Sequence, residues 1–109
     1  MITKKKESNS NFIHMVFFWL KDTSHKKIDF FKNRTVSFLD QIETIDNYHV
    51  GIPASTDRPI IERSYTIALV VGFKDKKAHD IYQDHEAHKS FINDCQHLWT
   101  CVKIFDTHK

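Results

Sequence analysis

The sequence contains few of the residues that interrupt a chain or staple it together. Its 109 residues include only two prolines and two glycines, which favours long regular elements over elaborate loops. The two cysteines, Cys95 and Cys101, are too few for a disulfide framework. Both fall in apolar patterns and are expected to behave as small buried hydrophobes. A chain of this length can build one core without disulfides.

Long apolar runs and an excess of charge are also missing. No stretch approaches the ~18 apolar residues that a membrane span requires, and no secretory segment follows the N-terminal lysines, so a cytoplasmic location without membrane partners is expected. The net charge of +2 comes entirely from residues 1–11, and nucleic-acid binding, which needs clustered cations, is not expected. Residues 1–11 are predicted to be a disordered polar tail and residues 12–109 a single domain.

The first apolar segment, residues 12–21, predicts a strand with two apolar faces. Because successive side chains of a strand alternate, one face carries His14, Val16, Phe18 and Leu20 and the other carries Ile13, Met15, Phe17 and Trp19. One layer of helices covers one face only. The other face then requires a second sheet, most simply that of another subunit.

The rest of the chain supplies two helices and three more strands. Apolar residues at helical spacing from Ile28 to Ile45 predict an amphipathic helix that Asp22, Thr23 or Ser24 can cap. A second helix opens at Asp75. Strands are predicted over residues 47–55, 64–74 and 98–106. The order β-α-β-β-α-β indicates an α+β, ferredoxin-like fold with a four-stranded antiparallel sheet and helices on one face. Two such subunits are expected to pack sheet against sheet into a homodimer, a dimeric α+β barrel.

The stretch "IYQDHEAHKSF", residues 81–91, places Tyr82, His85 and His88 three residues apart. On a straight helix Tyr82 and His88 lie well off one face, since each residue turns the helix by ~100°. They converge only if the helix breaks between Asp84 and Glu86, where Asp84 is a suitable cap. The pair then suits proton transfer, because histidine titrates near neutrality and a phenol donates to an oxyanion.

Less specific interpretations of these polar residues stay open. The HxxH spacing of His85 and His88 is a weak zinc signal, and neither a metal nor another cofactor is expected. The histidines can also serve only as polar groups at a helix start. His14 can be a satisfied core histidine, and Asp106 an ordinary exposed strand end.

Several segments together resemble the stress-responsive A/B barrel domain (Dabb) family over residues 12–107. They are "IHMVFFWLK", "YHVGIP", "RSYTIALVVGF", "IYQDHEAHKSF" and "VKIFD". The resemblance implies a dimeric barrel with a pocket between helices and sheet. In the plant polyketide-cyclase branch of this family, such a pocket performs an intramolecular aldol closure.

The same resemblance implies roles for individual residues. His88 matches a general base and Tyr82 a group that polarises a carbonyl. His14 and Asp106 match further polar positions of the pocket, with Asp106 orienting the His88 ring, and His85 is a supporting residue. Family members usually carry proline where this chain has Glu86.

Two functions therefore follow as hypotheses. In the first, His88 removes a proton next to the carbonyl of a small, apolar, polyketide-like compound. In the second, the pocket binds a small apolar ligand in a stress response and performs no chemistry. The aromatic lining of the pocket, which includes Phe12, Phe18 and Phe91, favours this second hypothesis.

Overall fold

The structure is a computed structural model that describes residues 6–109 as one sheet with helices on one side. The strands are β1 (Phe12–Leu20), β2 (Ile45–Gly51), β3 (Ile67–Phe73) and β4 (Trp99–His108), and the helices are α1 (His25–Leu39), α2 (Lys76–Asp84) and α3 (Glu86–Cys95). A short 3₁₀ turn, Gln96–Leu98, leads into β4. All strand pairs are antiparallel in the order β2-β3-β1-β4. The predicted ferredoxin-like α+β fold is confirmed.

The two faces of β1 differ in burial as their alternation predicts. The even-numbered residues are buried beneath the helices, and the odd-numbered residues of the opposite face are only half-buried. Phe18 packs edge-on against Phe31 of α1, and Phe91 of α3 stacks on Phe38 of α1 with ring centroids 4.4 Å apart. These aromatic contacts fix the two helices over the centre of the sheet.

Helix α1 is shorter than predicted. Ser24 caps it by accepting a hydrogen bond from the amide of Lys27, but the helix ends at Leu39 and Ile45 already belongs to β2. The amide of Ile42 bonds to the carbonyl of Leu39, so a tight turn replaces the next helical turn. This turn keeps Ile42 in the core, which is why its spacing looked helical.

Strand β4 is an edge strand, and most of its side chains are exposed. Val102 and Ile104 face the helices but remain 38% and 53% exposed, and Phe105 on the opposite face is 54% exposed. Cys95 is buried as predicted, whereas Cys101 is exposed, because its strand is not covered. The helices thus leave most of the edge strand β4 uncovered, even on the face of the sheet against which they pack.

The region before β1 packs against the sheet at Ser10. This residue belongs to the predicted tail, yet it is buried, and its hydroxyl donates to Asp46. A Cβ at Gly72 would lie 2.6 Å from the Ser10 oxygen, so the glycine permits this close approach. Residues 1–5 of the predicted tail lie outside the described residues.

Candidate functional site

The helix that carries the Tyr-x-x-His-x-x-His spacing breaks at His85. This residue has φ −66° and ψ 140°, an extended conformation that ends α2 at Asp84 and starts α3 at Glu86. The Nδ1 atom of His85 accepts a hydrogen bond from the amide of Ala87 at 3.0 Å. His85 itself is therefore the cap of α3, where the sequence suggested Asp84, because only a residue outside the helical conformation can take the cap position.

The break brings Tyr82 and His88 together. Their ring centroids lie 4.7 Å apart, and both side chains line a cavity of about 200 Å³ between the helices and the sheet. His85 is not part of this cavity lining, since its ring turns back to the α3 backbone. The Nδ1 atom of His85 accepts the cap hydrogen bond, so this nitrogen is not available to a metal ion while the cap is in place.

The cavity is lined mainly by hydrocarbon and aromatic side chains. His14, Tyr82, Gln83 and His88 are its polar members. The others are Val16, Phe18, Phe38, Leu69, Phe91, Ile92, Trp99, Val102 and Ile104. Because Val102 and Ile104 are partly exposed, the cavity opens to solvent along β4. Phe12 was expected in the lining, but its ring stacks on His79 instead.

Burial favours the neutral form of both central residues, which is the deprotonated imidazole of His88 and the protonated phenol of Tyr82. It lowers the pKa of His88, and the nearby His14 lowers it further, against a hydrogen bond with the Gln83 backbone. Burial also raises the pKa of Tyr82, and the charge of Asp106 adds to this shift. At neutral pH the imidazole is therefore a neutral proton acceptor and the phenol keeps its proton.

The third element of the site is a hydrogen-bonded pair on neighbouring strands. His14 of β1 lies directly opposite Asp106 of β4, and its Nδ1 atom donates to Oδ1 of the carboxylate at 2.5 Å. Burial lowers the pKa of His14, although the hydrogen bond and charge of Asp106 oppose this. The expectation that Asp106 orients His88 is wrong, because the strand register gives the carboxylate to His14.

The residue that the sequence analysis missed is His79 of α2. It is buried, its ring lies 4.9 Å from that of His14, and it also approaches Tyr82 at 6.0 Å between ring centroids. His79 precedes Tyr82 by three residues, which places both on one helix face. The signal in the sequence is the interval of three residues, which extends the Tyr82–His85–His88 pattern by one step towards the N-terminus.

Comparison with known proteins agrees with this fold. The family model of the stress-responsive A/B barrel domain matches residues 12–108, and the chain belongs to this family. A search of curated proteins finds no significant match. Within residues 6–109, no helix is both long and apolar enough to cross a membrane.

Three solved structures illustrate the range of similar proteins. An Arabidopsis thaliana protein shares 22% identity with a TM-score of 0.77, covering 90% of this chain and 94% of its own. A dimeric ferredoxin-like protein of unknown function from Thermobifida fusca shares 17% identity with a TM-score of 0.72, covering 90% of each chain. A hydroxynitrile lyase from Passiflora edulis shares 14% identity with a TM-score of 0.74, covering 90% of this chain and 92% of its own.

Proposed function

We propose that the protein binds a small, largely apolar carbonyl compound in the cavity and that His88 removes a proton from the carbon next to its carbonyl. Tyr82 donates a hydrogen bond to the oxygen on which negative charge develops. The observation that carries this proposal is the approach of the Tyr82 and His88 rings to 4.7 Å within an apolar cavity. A neutral imidazole can accept the proton and a protonated phenol can donate to the enolate oxygen, so the pair is suited to enolate formation.

The proposed step conserves protons and electrons without a cofactor. The C–H bond breaks, its proton moves to a ring nitrogen of His88, and its electron pair forms the enolate. In an aldol-type cyclisation the enolate carbon then bonds to a second carbonyl carbon of the same molecule. The resulting alkoxide takes the proton back from His88, which restores the neutral imidazole.

Three further residues support this arrangement in distinct ways. His85 holds the helix break, since its ring caps α3. His14 lines the cavity, and Asp106 fixes the orientation of its ring.

The cavity size limits the ligand class. About 200 Å³ is below the ~300–1,000 Å³ of typical ligand pockets, so the substrate is a compact molecule. The Passiflora lyase has a similar fold at low identity, which supports only that such a fold houses an enzyme acting on a small molecule. The proposed chemistry for this chain therefore depends on its own residues.

A second candidate function is binding without chemistry, in a stress response. The observation that favours it is the predominance of apolar side chains around the cavity, which supply affinity for an apolar ligand but no reactive groups. In that case His88 and Tyr82 only anchor a polar end of the ligand.

We also propose that the protein is a homodimer through the open sheet face. The half-buried side chains of Met15, Phe17 and Trp19 lie there, with Val70 and Phe105 beside Met15 in the strand register. Contiguous apolar surface of this kind marks an interaction site. The Thermobifida neighbour, which is described as dimeric, supports the same assembly.

The function is tested by hydrogen–deuterium exchange on a bound ketone. Small apolar ketones and β-diketones are first screened for thermal stabilisation of the protein. The rate of deuterium uptake next to the carbonyl is then followed by NMR in D₂O. We expect the rate to fall by ~10²–10⁴-fold in His88→Ala and by ~10²–10³-fold in Tyr82→Phe, while His97→Ala, an exposed histidine, retains the wild-type rate.

The outcomes separate the two functions. Stabilisation without any catalysed exchange favours the binding function and contradicts the catalytic one. Catalysed exchange that persists in His88→Ala rejects His88 as the base. A screen in which no such compound stabilises the protein rejects carbonyl compounds as the ligand class.

A further inference from the structure

The His14–Asp106 pair has a second histidine beside it that the proposed reaction does not use. The donor atoms of His14, His79 and Asp106 all lie within 4.8 Å of one another. Both histidines are buried, and the Asp106 side chain is 40% exposed. We propose that these three side chains bind one divalent transition-metal ion. Zn²⁺ is the ion with which we test the site.

The donor set fits such an ion by its chemistry. Two imidazoles and one carboxylate are the three protein ligands of metal sites that keep a position open for water or a substrate. Hard ions such as Mg²⁺ and Ca²⁺ prefer oxygen ligands throughout, which this cluster does not offer. Burial lowers the pKa of His14, and the neutral imidazole is the form that coordinates a metal.

The geometry requires a small adjustment that the exposed residue can make. An ion with bonds of about 2 Å holds tetrahedral ligands about 3.3 Å apart. The Nδ1 atom of His14 and Oδ1 of Asp106 are 2.5 Å apart, so the ion takes the place of the proton between them and the pair separates. Asp106 lies on an edge strand with its side chain partly in solvent, which leaves it room to rotate.

His79 already has the kind of outer contact found for metal-bound histidines. Its Nδ1 atom lies 3.2 Å from Oδ1 of Asp80, and a carboxylate on one ring nitrogen leaves the other nitrogen for the ion. That other nitrogen, Nε2, lies 3.2 Å from the Gln83 side-chain nitrogen. The Gln83 amide therefore turns away when the ion binds.

The position of the cluster gives the ion two consequences. His14 is on β1, His79 on α2 and Asp106 on β4, so one ion ties the helix to the edge of the sheet and stabilises the folded state. His14 also lines the cavity, and its ring lies 5.4 Å from that of Tyr82. The ion thus lies next to the ligand cavity, but the proposal does not depend on the reaction assigned to His88.

The proposal is tested by titrating chelator-treated, dialysed protein with ZnSO₄ in a calorimeter. We expect one ion per chain, a rise in melting temperature with Zn²⁺, and visible absorption bands of a four- or five-coordinate ion when Co²⁺ is used. His79→Gln and Asp106→Asn should each weaken Zn²⁺ binding at least about tenfold, since even outer contacts of metal ligands contribute ~10–100-fold. His97→Ala, which removes an exposed histidine, should bind as the wild type does.

The variants also define the results that overturn the proposal. Circular dichroism in the presence of a chelator checks that they fold, and Asp106→Asn is the milder change because its side chain is partly exposed. Absence of Zn²⁺ binding at millimolar concentration rejects the site. So does binding that is unchanged in both His79→Gln and Asp106→Asn, or binding that His97→Ala abolishes, because the ion then lies elsewhere.

Discussion

Two histidines that face the same cavity are kept neutral by burial. His14 and His88 each have a pKa below the ordinary value for histidine, and in both the largest cause is removal from water. For His88 this preference is useful in the proposed reaction, because a base must be unprotonated before it acts. It also links the folding of the protein to pH.

We predict that the folded state loses stability as the pH falls through the ordinary histidine range. In the unfolded chain both histidines titrate near 6.5, whereas in the folded protein they take up protons only at lower pH. Between these values the unfolded state binds more protons, so the free energy of unfolding falls on acidification. The slope reaches about 1.4 kcal/mol per pH unit for each histidine.

Urea unfolding between about pH 7.5 and pH 5 measures this slope. His88→Gln should reduce it, since one of the two histidines is removed, and His97→Ala should leave it unchanged. A free energy of unfolding that stays constant or rises over this range contradicts the prediction.

The residues of the site differ in how far the sequence reveals them. Tyr82 and His88 are close in sequence, and their spacing alone shows that a helix break would bring them together. The partner of His14 is 92 positions away, and only the register between β1 and β4 assigns Asp106 to it. A one-step shift of that register would turn Asp106 to the other face of the sheet.

At the scale of elements, the site depends on the junction between α2 and α3. Its extended residue, His85, turns the chain so that α3 starts in a new direction. The sequence predicts where this break lies but not which residue caps it, because Asp84 and His85 both carry suitable side-chain acceptors. Helix α1 shows the same limit, since the apolar spacing continues through the turn at Ile42 where the helix has ended.

The junction geometry predicts that Glu86→Pro is tolerated. Glu86 is the first residue of α3, where a proline fits, and His85 before it has the extended conformation that a following proline demands. Proline gains about 0.4–1 kcal/mol by restricting the unfolded chain, and loss of the Glu86 charge at the helix start costs about 0.3–1 kcal/mol. The free energy of unfolding should therefore stay within about 1 kcal/mol of the wild-type value.

Ala87→Pro is the matched control, one residue further on. It removes the amide that donates to His85 and places a proline after a helical residue. We expect it to lower the free energy of unfolding by more than about 1 kcal/mol, the typical value of a helix cap. Urea denaturation of the two variants compares them directly, and equal losses would show that the cap does not hold this junction.

At the scale of the whole molecule, the helices account for only one face of the sheet. The alternation along β1 makes both faces apolar, and the structure places every helix over the even-numbered residues. This division could be predicted from the sequence, because the period of a strand is two and the chain has helices enough for one layer. The exposure of the β4 side chains could not be predicted in this way, because it depends on the position of β4 at the edge of the sheet.

The open face gives the last prediction, which concerns assembly. Phe105 lies on it, 54% exposed and 6.0 Å from the Phe17 ring, so Phe105→Glu should place a charge in the proposed interface without disturbing the core. Ile104 is its neighbour, equally exposed at 53%, but it faces the helices. Light scattering should give twice the chain mass for the wild type and for Ile104→Glu, and the mass of a single chain for Phe105→Glu. A wild-type protein that is monomeric at micromolar concentration, or a Phe105→Glu variant that stays dimeric, would show that the apolar face is not the interface.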